Sequence, residues 1–133
     1  MNFKANTIAF AFRKPKFPVI CDFDGDLFAA RSPGALVRRL AGVELADEKR
    51  TRFVDASGEG WMFLAEERIL APDFPMRRWR KIEVIRMFNE SRTAKTMGLE
   101  YSKRRIPNRR LDMIVRDIAA LLSSRAGRRK GNF

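Results

Sequence analysis

The dipeptide Asp24-Gly25 stands between two apolar runs, residues 17–23 and 27–30, and it constrains the fold of this chain more than any other local feature. Asp-Gly suits the tight connection between two antiparallel strands, so the sequence predicts a hairpin in the first third of the chain. Residues 6–12 read as another short β run, followed by a turn over 13–16 that contains Pro15. A second hairpin is predicted further on. Residues 52–56 and 60–65 flank Ser57-Gly58-Glu59-Gly60, and the period of two puts Trp61 and Phe63 on one strand face.

Helical signals punctuate and then replace this pattern. Ser32-Pro33 resembles an N-cap with proline in the first turn; Leu36, Val37, Leu40 and Ala41 make one apolar face, and Gly42 ends a short helix. Past Pro72 and Pro75 the period changes. Trp79, Ile82, Ile85 and Phe88 recur at helical spacing and predict a helix over 78–90, and Ser91 to Gly98 reads as a short capped helix. Pro107-Asn108 opens a last helix with a stripe of Leu111, Ile114, Val115, Ile118, Leu121 and Leu122. Gly127 lies past its predicted end, and 128–131 read as a solvated basic tail. Trp61, Phe63 and Ile114 are expected to be buried.

The expectation is an α+β fold: an N-terminal antiparallel sheet of about five strands with one short helix, covered by C-terminal basic helices. At 133 residues the chain is read as a single domain. Within it, 1–74 form a β-rich half, 75–126 a helical half and 127–133 a basic tail. Hydrophobic residues make up 45% and aromatics 11%, enough apolar surface for the chain to fold.

Composition also removes chemistry. There is no histidine, so no histidine nucleophile pair, general base or metal ligand exists. The lone Cys21 permits no internal disulfide and no multi-cysteine zinc site, and inside the run 17–23 it reads as a buried, inert thiol. No apolar run approaches bilayer length, and residues 1–12 do not read as a signal peptide. A cytoplasmic protein with no membrane partner is expected.

The net charge of +12 is concentrated. Residues 1–74 hold 11 Lys/Arg against 11 Asp/Glu, whereas residues 75–133 hold 17 against 5. Clustered Lys and Arg repel one another, and such asymmetry points to a polyanionic partner. Arginine dominates the cluster, and its planar fork suits bidentate phosphate contact.

Two motifs carry resemblances. The run Val19-Ile20-Cys21-Asp22-Phe23-Asp24-Gly25-Asp26-Leu27 is similar to the first motif of haloacid-dehalogenase-like phosphohydrolases. The resemblance implies Asp22 as phosphoryl-accepting nucleophile and Asp24 as general acid and base, around magnesium. That family also needs a Ser/Thr site, a distant Lys and a late acidic pair on further parallel strands, and no comparable acidic pair follows Asp73. As a calcium loop the same cluster fails, with Leu27 and Pro33 where glycine and glutamate are required. In the second half, Ala94, Gly98 and Leu99 resemble the core spacing of a helix-turn-helix, although Pro107 interrupts where the recognition helix should run. Between Ser91 and Arg110 there are seven basic residues and one acid, Glu100.

The leading expectation is a non-enzymatic nucleic-acid-binding protein, without cofactor or metal, that holds DNA or RNA by its phosphate backbone. The candidate contacts are Arg77, Arg78, Arg80, Lys81, Arg92, Lys95, Lys103, Arg104, Arg105, Arg109 and Arg110. Tyr101 is placed either on an unpaired base or against the sheet. The alternatives are a basic assembly subunit docking on an acidic protein or ribonucleoprotein complex, and the phosphohydrolase using Asp22 and Asp24. Oligomeric state is left open.

Overall fold

The computed structural model describes residues 8–41, 51–64, 67–73 and 78–131, with the backbone alone for Arg105 and 124–131. The predicted Asp24-Gly25 hairpin is present between β2 (Val19–Phe23) and β3 (Asp26–Ala30), with Phe23 opposite Asp26 across a two-residue turn. Asp24 has φ +54° and Gly25 φ +100°. Two positive φ values in succession give the turn whose twist matches that of the flanking strands. The Gly25 N–H donates to Asp22 Oδ1 at 2.8 Å and pins the turn to the strand before it.

The fold is α+β as expected, with the sheet N-terminal and the helices C-terminal; the sheet has six strands, one more than the five read from the sequence, and the parallel pairing of its first strand makes it mixed. Its order is β1-β6-β5-β4-β2-β3, with β1 Ala9–Phe10, β4 Thr51–Val54, β5 Gly60–Leu64 and β6 Ile69–Pro72. The missed strand, β6, has four residues and ends in a proline that reads as a boundary. β1 lies parallel to β6, with Ala9 opposite Ile69; Ala9 N–H donates to Arg68 O and Ala11 N–H to Leu70 O. This pairing satisfies the free hydrogen-bonding groups of β6, which would otherwise form an open edge.

Both faces of the sheet are covered. The period of two sends Val19 and Cys21 of β2 to one face and Ile20 and Asp22 to the other. On the first face α1 (Pro33–Ala41) buries Leu36 and Leu40 against Val19, Cys21, Phe53, Trp61, Phe63 and Leu70. On the second, α2 (Lys81–Asn89) and α4 (Leu111–Gly131) bury Val84, Ile85, Phe88, Ile114, Val115, Ile118 and Leu122 against Ile20, Leu27 and Val54. Trp61, Phe63 and Ile114 are all buried. The helical stripe is core, with Leu111 and Leu121 at its half-buried margin.

Three helix boundaries differ from expectation. α2 starts at Lys81 rather than 78, because Arg78 bridges to Glu59 and Trp79 N–H donates to Gly58 O, drawing that peptide into the sheet. Pro107 does not open α4; it lies in a 3₁₀ helix, Lys103–Asn108, separated from α4 by extended Arg109. Gly127 does not close α4, which continues to Gly131, so 128–131 extend the helix instead of forming a tail. One helical glycine costs only about 1 kcal/mol relative to alanine. The short helix α3 (Arg92–Met97) is as expected: Ser91 Oγ accepts from Ala94 N–H, and Gly98 ends it at φ +71°. Residues 6–7 of the first β run, Gly42 at the expected end of α1, Ala65 of the second hairpin and positions 74–75 before the helices lie outside the described residues.

Candidate nucleic-acid interface

One buried carboxylate organises the end of the sheet where the basic helices start. Asp55 follows β4, and its Oδ1 accepts from Ser57 N–H, Ser57 Oγ and Glu59 N–H, while Oδ2 accepts from Lys16 N–H and Trp61 Nε1. Five donors satisfy a carboxylate that burial would otherwise penalise by several kcal/mol. The turn it fixes, 55–59, becomes an anchor. Arg78 Nη1 donates to Ser57 O at 2.7 Å, and the side chain of Leu111 lies over Gly58, so the entries to α2 and α4 meet there.

The 3₁₀ helix is tied to the same region. Lys81 Nζ, in the first turn of α2, donates to Ile106 O at 2.9 Å. Arg78, Arg80, Lys81, Lys103, Arg104 and Arg110 therefore belong to segments held together at the starts of α2 and α4. Arg105 shares the 3₁₀ backbone, and Arg77 lies outside the described residues. Arg80 is 77% exposed with Glu83 at 3.9 Å, and Arg110 is 78% exposed beside Asp112 at 3.1 Å. Such exposed pairs exchange readily with solvent and contribute little. Lys103 and Arg104 are exposed and form no ion pair among the described residues.

Three candidates are placed differently. Arg109 turns inward, its Nε and Nη2 donating to the two oxygens of Asp117 at 2.8 and 2.9 Å. Hydrogen bonding to Asp117 holds its pKa above the ordinary arginine value. Arg92 and Lys95 stand on α3, beyond the far end of α2, a helix of nine residues and so about 13 Å long. There Arg92 clasps the β2–β3 turn: its N–H donates to Gly25 O, its Nε to Asp26 Oδ1 and its Nη2 to Asp24 O. The hydrogen bond to Asp26 raises its pKa. Lys95 is exposed. Tyr101 is buried, with Oη on Asp117, so it packs in the core and presents no ring to a base.

The fold adds cations that linear charge counting hid. Residues 13–16 belong to the electrically neutral half, yet Ala56 N–H donates to Lys16 O and Arg13 is ion-paired to Glu59, the residue that bridges to Arg78. Arg13, Lys14 and Lys16 thus flank the same 55–59 turn as Arg78. The only sequence signal for them was three basic residues within four positions.

Asp22 is buried and fully engaged, accepting from Gly25 N–H and from Arg52 Nε and Nη2 at 3.0 and 2.7 Å. The guanidinium of Arg52 also lies 5.5 Å from the centre of the Trp79 ring. Both neighbours of β2 are antiparallel, unlike the parallel strands that the phosphohydrolase resemblance implies. Among the described residues no group of three or more Cys, Asp or Glu side chains is placed to hold a metal ion. Residues 99–102 after Gly98 are not helical, and a 3₁₀ turn follows, so the helix-turn-helix spacing does not lead into a recognition helix.

No family model matches this chain, and no curated protein and no solved structure matches it. No helix among the described residues is long and apolar enough to cross a membrane.

Proposed function

We propose that this α+β protein is a non-enzymatic nucleic-acid-binding protein of the cytoplasm that holds the phosphate backbone on the surface formed by the starts of α2 and α4 and the 3₁₀ helix. The observation that carries this reading is the pair Lys103 and Arg104, exposed and without an acidic partner among the described residues, set beside Arg78, Arg80 and Arg110. Unneutralised cations held close together repel one another, and phosphates relieve that repulsion with release of condensed counterions. Contacts of this kind position a backbone and carry no base sequence. Arg92 and Lys95 would extend the track past α2, whereas Arg109 supports it from within.

The test is direct binding of the purified chain to fluorescent single-stranded and duplex DNA and RNA at low salt, read by anisotropy. Binding that is lost on raising the salt supports the reading. Absence of binding to all four ligands overturns it.

A second reading, the assembly subunit, is favoured by one feature. A groove of about 420 Å³ runs beside β3, the terminal strand of the sheet, lined by Leu27, Ala29, Arg38, Arg39, Met97 and Leu122. An acidic segment lying in that groove would meet Arg38 and Arg39.

A further inference from the structure

Phe12 is the least economical residue on this surface. The residue is 91% exposed, and with Leu64 it makes up the exposed large apolar residues among those described. Its backbone is strained as well. Arg13 N–H donates to Ala11 O at 2.8 Å across Phe12, whose φ is +71°. This is a γ-turn in its rare, positive-φ form, a conformation that a bulky residue adopts only when the surroundings impose it.

The surroundings do impose it. Ala11 N–H is fixed to Leu70 O of β6, and on the other side Arg13 is fixed to Glu59 and lies over the Trp61 ring at 5.6 Å. The turn therefore thrusts the ring of Phe12 into solvent from a rigid base. Lys14 and Lys16 follow within four residues and form no ion pair among the described residues. Glu59 connects this turn to Arg78, and so to the proposed phosphate surface.

From this geometry we infer that Phe12 is a stacking platform for an unpaired base, which makes the preferred ligand single-stranded nucleic acid. An exposed ring face beside cations that no carboxylate neutralises is the combination that single-strand binding requires, since each base offers a π face and each linkage a phosphate. In a duplex the base faces are already stacked on one another, so duplex gains nothing from the ring. The inference rests on the nucleic-acid reading above.

The test compares oligo(dT) with a duplex of the same length by anisotropy, using the full chain and the variants Phe12→Gly and Phe12→Trp. Phe12→Gly should weaken single-strand binding roughly five- to hundredfold while leaving duplex affinity unchanged. Glycine adopts positive φ without strain, so the same variant should unfold no earlier in urea than the parent. A merely structural ring would instead lower the midpoint. Phe12→Trp should retain single-strand affinity, with the new indole quenched on binding. Unchanged oligo(dT) affinity in Phe12→Gly, beside a loss on replacing Lys103, Arg104 and Arg105, overturns the stacking role and leaves the phosphate surface standing. Equal loss for single strand and duplex also overturns it. If the parent chain binds neither ligand, the wider reading fails and the platform fails with it.

Discussion

Tyr101 donates its hydroxyl to Asp117 Oδ2 at 2.6 Å, joining the segment before the 3₁₀ helix to the middle of α4. Asn89 of α2 closes the other side, its Nδ2 donating to Tyr101 O and its Oδ1 accepting from Tyr101 N–H. With Arg109 on the same carboxylate, these bonds hold the basic segment 103–110 against the two core helices. Tyr101→Phe leaves the ring in place and removes a hydrogen bond to a charged group, which should cost about 1.5–3 kcal/mol in urea unfolding. Its effect on nucleic-acid affinity at low salt should be small, because the ring is buried. A large loss of binding with unchanged stability would return Tyr101 to the surface.

Gly58 sits at φ +91° with Leu111 above it, so a methyl group there would meet both an unfavourable backbone conformation and the leucine side chain. Gly58→Ala should destabilise by more than about 1 kcal/mol, the usual loss when alanine is forced to positive φ. Adding Leu111→Ala removes the collision and not the strain. The double variant should therefore lose less than the sum of the two single losses, a coupling that urea titrations of all four chains would measure. Strict additivity would mean that Leu111 does not lie on the turn.

The features legible in the sequence were those set by near neighbours. Asp24-Gly25 marked the two-residue turn of its hairpin, Ser91 and Gly98 bounded α3, and the stripe from Ile114 to Leu122 marked the buried face of α4. What escaped depended on partners distant in sequence. Ile69–Pro72 is too short to show a period, and it is a strand because β5 pairs with it on one side and β1 on the other. Arg109 and Arg104 look alike in the sequence, and it is the position of Asp117 one face of α4 away that turns one inward and leaves the other in solvent. Likewise the role of Asp55 lies in five donors from three segments, and the neutral half shed its apparent irrelevance to charge only when Arg13 met Glu59.

Cys21 lies at zero exposure between Phe53 and the α1 face, and burial holds its thiol pKa well above the ordinary range. In the unfolded chain the thiol ionises near pH 8.5. The folded pKa is the higher one, so this contribution to stability is fully present below about pH 8 and is lost as the pH rises towards the folded value. Two outcomes are expected. A thiol reagent at mildly alkaline pH should modify Cys21 only after denaturant is added, and Cys21→Ser should flatten the alkaline fall in stability. Rapid modification of the native chain would mean that the site opens to solvent.

The last prediction tests the charge map itself. Each phosphate neutralised by Lys or Arg releases counterions, so if about five side chains engage at once, log K against log salt should slope at roughly −4.5 for duplex DNA. Replacing Lys103, Arg104 and Arg105 together by alanine removes up to three contacts and should make the slope shallower by about two to three units. The fold should survive, since Lys103 and Arg104 are exposed and form no ion pair among the described residues. A matched control needs three arginines elsewhere. Arg52 is unsuitable, because its removal would strand the buried carboxylate of Asp22. Arg31, Arg38 and Arg39 serve instead: they lie just before and on α1, which covers the opposite face of the sheet, and all three are exposed. Their replacement changes net charge by the same amount and should move the slope much less. Equal shifts from both triples would show that overall charge alone drives binding, and the surface at the starts of α2 and α4 would then be no site.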